Sequence, residues 1–256
     1  MKQYIVDAFT DKLFSGNPAA VCVLKKWLTD DIMQNIAMEN NLSETAFIVK
    51  NENSYEIRWF TPTGEIDFCG HATLASSYTL FNHYNINDNI ITFQTENNKF
   101  TVKKVSDYYE MTFPKYEYKK VQITDDMIKA FNVEPLEAYL SRDLLLIYDH
   151  EDYIKINVNH DYVKKLDATC IAISSRSDEY DCISRVFAPR IGIKEDPVTG
   201  STHCLIAPYW SEKLNKKDII AYQDSPRGGL LKCEVLEDKI KISGKAVLYS
   251  ESELHL

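Results

Sequence analysis

Two stretches of the chain place side chains that can exchange protons directly before an apolar run. The polar residues of the first stretch are Asp67, Cys69 and His71, and those of the second are Glu195, Asp196, Thr199 and Ser201. Carboxylates, thiols and imidazoles are groups that act as general acids and bases in enzymes. Their grouping in two loops predicts a site for acid–base chemistry.

A further candidate is Glu44, which stands in a Ser-Glu-Thr loop before a predicted strand. Its neighbours Leu42, Ala46 and Phe47 are apolar, and they predict that the carboxylate is partly buried. Burial disfavours the charged form of a carboxylate, which suits a general base that must work near neutral pH. Ordinary loop polarity explains the local sequence equally well.

Each polar loop leads through a glycine into a mostly apolar run, residues 72–81 after Gly70 and residues 204–210 after Gly200. A helix that is apolar all round is a buried helix. The first amides of a helix have no acceptor within it and lie at the positive end of its dipole. The sequence therefore predicts two buried helices that begin at Gly70 and Gly200 and offer their first amides to an anion.

The surroundings of the two runs also repeat in the same order. Arg58-Trp-Phe-Thr-Pro62 recurs as Arg185-Val-Phe-Ala-Pro189, and Ile91-Thr-Phe-Gln94 recurs as Ile220-Ala-Tyr-Gln223. Together with the two glycine-led runs, these matches indicate an internal duplication. We predict two similar lobes, each with strands gathered around one apolar helix. The predicted lobes are residues 1–115, completed by a C-terminal strand at about 245–256, and residues 116–244, with the linker within 115–137.

Composition narrows the class of protein. The chain has 256 residues, of which 45% are hydrophobic and 26% are charged, as in ordinary globular proteins of one large or two modest domains. Its net charge of -9 argues against nucleic acid or an anionic membrane as a partner. No segment approaches the roughly 20 apolar residues of a membrane span. The six cysteines include no C-x-x-C pair, which favours reduced thiols in a cytoplasmic protein over a disulfide framework or a zinc site.

A series of short motifs runs along nearly the whole chain. In order, the motifs are Asp7-Ala-Phe, Gly16-Asn-Pro-Ala-Ala-Val, Ser43-Glu-Thr-Ala-Phe, Arg58-Trp-Phe-Thr-Pro, Cys69-Gly-His-Ala-Thr, Glu195-Asp-Pro-Val-Thr-Gly-Ser, and Gln223 with Arg227-Gly-Gly. Each motif is weak by itself, but this order is highly specific. With these motifs the sequence resembles the PhzF-like family, named for the phenazine-biosynthesis isomerase, and its wider relatives, the diaminopimelate epimerases and proline racemases.

The resemblance implies an α+β fold of two similar lobes, each a curled, mostly antiparallel sheet or barrel around a central helix, with the active site between them. It implies a homodimer that acts on a small substrate without cofactor or metal. It matches Glu44 to the catalytic acid or base, helped by His71 and Asp196. The remaining expected substrate contacts are Gly70, Gly200, Ser201, Cys69 and Thr199.

One departure from the wider relatives bears on mechanism. The epimerase relatives use two thiols, one before each central helix, as opposed base and acid. Here Cys69 stands at the first position, whereas the second loop offers Asp196, and Cys204 lies four residues beyond Gly200. The sequence therefore favours a biosynthetic isomerase that moves a proton on a carboxylate-bearing substrate through Glu44. The alternatives are an amino-acid racemase or epimerase that uses Cys69, and a catalytically silent ligand-binding protein on the same fold.

Overall fold

Strands and helices follow one another in the same order in two parts of the chain. The computed structural model describes residues 1–96 and 98–256. The first unit comprises Met1–Thr112 with Ser243–Leu256, and the second comprises Phe113–Ile242. Their mixed sheets and few helices confirm the predicted α+β class. None of the helices described in these ranges is long and apolar enough to cross a membrane.

In the first unit, each of the two helices stands in sequence between two strands that pair in parallel. Its elements up to the boundary, which the last strand crosses, are β1 (Lys2–Ala8), β2 (Asn17–Leu24), α1 (Asp30–Asn40), β3 (Glu44–Lys50), β4 (Tyr55–Thr61), β5 (Gly64–Ile66), α2 (Gly70–His83), β6 (Ile90–Gln94), β7 (Lys99–Val105) and β8 (Tyr108–Pro114). The α1 helix connects parallel strands β2 and β3, and α2 lies between parallel strands β4 and β6. The pairs β1–β2 and β3–β4 are antiparallel.

The second unit repeats this pattern. Its elements are β9 (Lys119–Val121), α3 (Asp125–Phe131), β10 (Glu137–Leu140), β11 (Leu144–Ile147), α4 (His150–Tyr153), α5 (His160–Val163), β12 (Ile171–Ser175), β13 (Cys182–Ala188), β14 (Ile193–Asp196), α6 (His203–Leu214), β15 (Asp218–Gln223), β16 (Gly229–Val235) and β17 (Lys239–Gly244). Short helices α4 and α5 connect parallel strands β11 and β12, and α6 lies between parallel strands β13 and β15. The same sequence of parallel and antiparallel pairs therefore occurs twice.

The segment 115–137 is not a linker, so that prediction was wrong. Strand β9 pairs antiparallel with β10, where Ala138 faces Val121. The Thr124 hydroxyl accepts a bond from the Met127 amide and so caps α3. Phe131 is fully buried in the core of the second unit. The segment therefore folds as part of that unit, because its apolar residues are spaced for a short helix.

A final strand, β18 (Ala246–Glu253), completes the first unit. It pairs antiparallel with β1, with one irregularity in register between Ile5 and Val6. The pairing continues past the strand, since the Leu254 amide donates to the Met1 carbonyl at 2.7 Å. The N-terminal strand is thus hydrogen-bonded on both sides, to β2 and to β18.

Helix α2 begins at Gly70, as predicted, and is buried around most of its circumference. Three of its buried hydroxyl residues are satisfied locally, whereas the Ser76 hydroxyl has no partner within residues 1–96 and 98–256. Thr73, Ser77 and Thr79 each donate to the carbonyl four residues earlier, at 2.6, 2.8 and 3.0 Å. Because a buried polar group without a partner costs about 1–3 kcal/mol, these bonds let a partly polar sequence form a core helix.

Helix α6 begins at His203, three residues later than the predicted start at Gly200. Residues 200–202 form a turn, in which the His203 amide donates to the Gly200 carbonyl at 3.1 Å. Pro208 lies inside this helix, yet the helix continues to Leu214. Proline lacks the amide that would bond the Cys204 carbonyl, and the Tyr116 amide donates to that carbonyl instead at 3.2 Å. The missing bond is therefore replaced from outside the helix.

Candidate active site

In the first unit, three of the predicted site residues form one buried cluster. Glu44 is the first residue of β3, where it faces Ala19 of β2, so the prediction that it lies in a loop was wrong. Cys69 is the residue before α2 and His71 is the second residue of that helix. Glu44, Cys69 and His71 are only 5%, 7% and 5% exposed. The parallel β2–β3 pair and the helix start together bring these side chains to one place.

The His71 ring contacts neighbours through both nitrogens. Nε2 lies 2.8 Å from Glu44 Oε2. Nδ1 lies 3.4 Å from Cys69 Sγ and 3.2 Å from the Asn17 side-chain nitrogen. The amide nitrogen only donates, so in this orientation it bonds an unprotonated Nδ1, and a protonated Nδ1 would be met by the amide oxygen after a flip of the side chain. Sequence reasoning missed Asn17, although the Gly16-Asn-Pro motif contained it.

The neighbours of His71 decide the charges within the cluster. Burial alone would lower the pKa of His71, but the adjacent Cys69 and the Glu44 carboxylate raise it well above its usual value. Burial and the nearby Glu44 raise the pKa of the Cys69 thiol, and the contact with His71 offsets this only in part. At neutral pH the imidazole therefore carries a proton beside Glu44, and the thiol is protonated and a weak base.

The Glu44–His71 contact leaves the carboxylate able to react. Although Nε2 is close to Oε2, this oxygen has no aligned hydrogen-bond donor within residues 1–96 and 98–256. A buried carboxylate oxygen beside a cation, with a lone pair still available, can accept a proton from a substrate. The first amides of α2, at Gly70 and His71, have no acceptor inside the helix and can stabilise negative charge nearby.

The same cluster contains possible metal ligands. Glu44, Cys69 and His71 each offer one ligand atom, and these atoms lie within 4.8 Å of one another. A carboxylate, a thiolate and an imidazole form a ligand set that zinc accepts. Binding would require loss of the thiol proton, and burial beside Glu44 opposes that loss. The residues therefore fit a metal less well than they fit proton transfer.

The second unit gathers its predicted residues in the loop between β14 and α6. Asp196 ends β14 and is 7% exposed, and its carboxylate accepts a bond from the Thr199 hydroxyl. Gln223, fully buried at the end of β15, donates to the Asp196 carbonyl at 2.6 Å. It also accepts from the Thr199 amide at 2.8 Å. This buried glutamine therefore fixes the backbone of the loop at Asp196 and Thr199.

The turn that follows contains Gly200 and Ser201, which lie ahead of α6 and not within its first turn. His203, the first helical residue, holds the loop through Nδ1, which lies 2.9 Å from the Thr199 carbonyl. Burial lowers the pKa of His203 to about 4, so this imidazole is neutral. Cys204 is buried inside α6, and burial raises the pKa of its thiol to about 12. The loop therefore carries a carboxylate, and the Cys204 thiol beyond it stays protonated at neutral pH.

Two residues that sequence reasoning missed also contact this turn. Arg142 Nη2 lies 3.1 Å from the Ser201 hydroxyl. The carboxylate of Asp143, the next residue along the chain, accepts from the Thr202 hydroxyl at 3.0 Å. Both residues stand in a loop about 60 positions earlier in sequence, where a lone Arg-Asp pair is typical of a surface turn. Only the folded chain brings them to the turn.

Comparison with known proteins confirms the family resemblance. Residues 6–252 match the sequence model of the family described as phenazine biosynthesis-like protein. An uncharacterized isomerase of Halalkalibacterium halodurans is 44% identical over 99% of this chain and 98% of its own length. An uncharacterized isomerase of Pseudomonas aeruginosa is 41% identical over 98% and 97%. These relatives confirm the predicted enzyme class, an isomerase.

Solved structures agree on the fold. A PhzF-family protein of Enterococcus faecalis superposes with a TM-score of 0.97 at 45% identity, covering 100% of this chain and 99% of that one. A probable proline racemase of Agrobacterium radiobacter superposes with a TM-score of 0.68 at 7% identity, covering 100% and 93%. The second likeness shows a shared fold alone, which agrees with the predicted α+β class.

Proposed function

The chain belongs to the phenazine biosynthesis-like family, and we propose that it moves a proton on a small carboxylate-bearing substrate without a cofactor, with Glu44 as the acid and base. The observation that carries the proposal is the buried Glu44 carboxylate, which lies 2.8 Å from the His71 ring while Oε2 has no aligned donor among the residues that the structure describes. Because the pKa of His71 is raised, a positive charge lies beside this carboxylate at neutral pH. The open lone pair is what a general base requires.

The proposed reaction begins when Glu44 removes a proton from a carbon of the substrate. The electron pair left on that carbon spreads onto the adjacent carbonyl or carboxyl group as an enolate-like charge. The amides at Gly70 and His71, at the positive end of α2, stabilise this charge. Glu44 then returns the proton, to the same carbon or to another carbon of the shifted double bond, so no oxidant or reductant is needed.

The second unit is proposed to hold the substrate. Its loop presents Asp196, Thr199, Gly200 and Ser201 in an arrangement fixed by Gln223. We propose that Asp196 shares the proton transfer and that the other three contact the substrate. Replacing Asp196 by Asn should accordingly reduce turnover less than replacing Glu44, because Glu44 still begins the reaction.

A second candidate function is racemisation or epimerisation through Cys69. The observation that favours it is the position of the thiol, 3.4 Å from His71 Nδ1 and directly before α2. The raised pKa of Cys69 speaks against it, because only the thiolate is an effective base. Replacing Cys69 by Ser separates the two functions: proton transfer through Glu44 survives, and racemisation through the thiol is lost.

The test is a screen for carbon deuteration. Purified protein, dialysed against a chelator, is incubated in D2O with small amino, hydroxy and unsaturated acids, and substrates are followed by proton NMR. We expect one class of acid to exchange a carbon-bound hydrogen with no cofactor added. Acids that bind without any exchange would instead support a silent ligand-binding protein. Exchange that appears only after a metal or organic cofactor is restored would contradict the proposal.

We also propose a cytoplasmic homodimer. The dimer follows from the family resemblance, and light scattering of the purified protein tests it through a mass of about twice 29.5 kDa. The cytoplasm is favoured because all six cysteines are free, as expected in a reducing compartment. Thiol titration of the unfolded protein without reductant should find six reactive groups, and fewer groups would argue against that compartment.

A further inference from the structure

The cation beside Ser201 is fixed in place by a buried carboxylate. Arg142 donates from Nε to Asp143 Oδ1 at 3.0 Å and from Nη2 to Oδ2 at 2.9 Å. Asp143 is fully buried, whereas the Arg142 side chain is 43% exposed. The paired bonds fix the plane of the guanidinium, because both partners are planar. The Nε and Nη2 atoms of the guanidinium are thus held by a buried carboxylate, while part of the same side chain is exposed at the surface.

The anchor also connects the cation to the turn before α6. Besides Arg142, the Asp143 carboxylate accepts from the Cys170 amide at 3.2 Å and from the Thr202 hydroxyl at 3.0 Å. Four donors therefore satisfy one buried charge, as burial of a charge requires. Because Thr202 follows Ser201, the position of the guanidinium relative to the Ser201 hydroxyl is set by a single rigid group.

Part of the guanidinium remains available. Its Nη1 has no acceptor within residues 1–96 and 98–256, and Cζ lies 5.3 Å from the centre of the Tyr116 ring. Burial alone would lower the pKa of Arg142, but the bonds and charge of Asp143 raise it above its usual value. The group is therefore a permanent cation with unused donors beside a hydroxyl, in a protein whose net charge is -9.

We propose that Arg142 and Ser201 form a subsite for a carboxylate of the substrate. A guanidinium fork and a hydroxyl are donors that match the two oxygens of a carboxylate. Arg142 contacts this carboxylate through its free donors, and Asp143 is a positioning residue that holds it. Assigning the carboxylate to the substrate rests on the proposed function, and it restricts the substrate to acids whose carboxylate is recognised by the second unit.

The test measures binding of simple probes to the whole protein. Acetate and malonate, with acetamide and malonamide as uncharged analogues, are titrated at constant ionic strength while NMR follows the amides of residues 199–203. We expect the backbone amide signals to shift saturably when acetate or malonate is added and to stay unchanged when acetamide or malonamide is added. Arg142→Gln should weaken carboxylate binding at least about tenfold, the effect of losing one charged hydrogen bond. Arg190→Gln, which removes another surface arginine paired with an aspartate, should bind as the parent does.

Loss of the cation could also leave Asp143 buried without a partner charge and unfold the protein. The double variant Arg142→Gln with Asp143→Asn removes both charges, so it should fold and still lack carboxylate binding. The proposal would be overturned if either folded variant bound acetate and malonate as tightly as the parent. It would also be overturned if the parent bound acetamide and malonamide as tightly as acetate and malonate. Glu44→Gln should keep probe binding, so failure of the subsite and failure of the proposed base are seen in different experiments.

Discussion

His71 is the residue through which the groups of the first-unit cluster affect one another. Its ring contacts the Glu44 carboxylate on one side and Cys69 and Asn17 on the other. The adjacent Cys69 and the Glu44 carboxylate raise the pKa of this ring, so the ring is a cation at neutral pH. The Glu44 carboxylate, only 5% exposed, therefore lies beside a positive charge, as the proposed base requires.

Replacing His71 by Asn should lower turnover while leaving some activity, because Glu44 can still begin the reaction. The pH dependence should also change. The pKa of His71 is raised, so the cation is present at neutral pH and is lost as pH rises through that pKa. We expect the parent to lose activity on the alkaline side and His71→Asn to lack that limb. Identical alkaline limbs in pH–rate profiles of parent and variant would contradict this role.

His203 should make the protein sensitive to acid. Its pKa is lowered from 6.5 to about 4 by burial, so the unfolded state binds a proton more readily than the folded state. Stability is therefore lost as pH falls from about 6.5 towards 4, by up to about 3 kcal/mol. His203→Asn removes this loss, so the advantage of the parent over the variant should shrink across that range. Urea unfolding at pH 7, 5.5 and 4.5 measures it, and a constant difference would refute it.

At the scale of elements, Gly16 controls the turn between β1 and β2. It has a φ of +67°, and an added Cβ would lie 2.2 Å from the Ala8 carbonyl oxygen. Gly16→Ala combines a left-handed strain of about 1–2 kcal/mol with a clash against backbone, so we expect a loss of at least about 2 kcal/mol. Gly64→Ala, with open space around its Cβ position, is the control and should be nearly neutral. Equal unfolding free energies for the two variants would contradict this account.

Helix positions show how far local sequence determines an element. Helix α2 starts at the predicted Gly70. The start of α6 was misplaced because Gly200 begins a turn. This turn is bonded by Asp143, from a loop, and by Gln223, from the end of β15, both distant in sequence. Local periodicity therefore predicts which segments are helical, and tertiary contacts fix where they begin.

The candidate site shows the same division. Glu44, His71 and Asp196 stand in motifs that the sequence displays, and the resemblance assigned their roles. The contacts of Asn17 with His71 and of Arg142 with Ser201 join residues 54 and 59 positions apart. Nothing in a single sequence relates such positions, so these contacts could be found only in the folded chain.

At the scale of the whole molecule, the first unit depends on both ends of the chain. Deleting residues 246–256 removes β18 and leaves β1 as an exposed edge. We expect the truncated protein to melt at least about 5 °C lower, since a loss of 1 kcal/mol shifts a protein of this size by about 2–4 °C. Deleting only His255 and Leu256 keeps the Leu254–Met1 bond and serves as the control. Equal melting temperatures for both truncations would show that β18 contributes little.

The central claim is that Glu44 takes and returns the proton, and hydrogen exchange at the substrate carbon tests it most directly. With an acid from the D2O screen at saturation, exchange is followed by NMR for the parent, for Glu44→Gln and for Glu39→Gln, a control on the exposed face of α1. Glu44→Gln should fold, bind the acid and exchange at least about 100-fold more slowly, the low end of general acid–base contributions. Glu39→Gln should match the parent. Exchange by Glu44→Gln at the parent rate would contradict the account and would make Cys69 or Asp196 the leading candidate for the base.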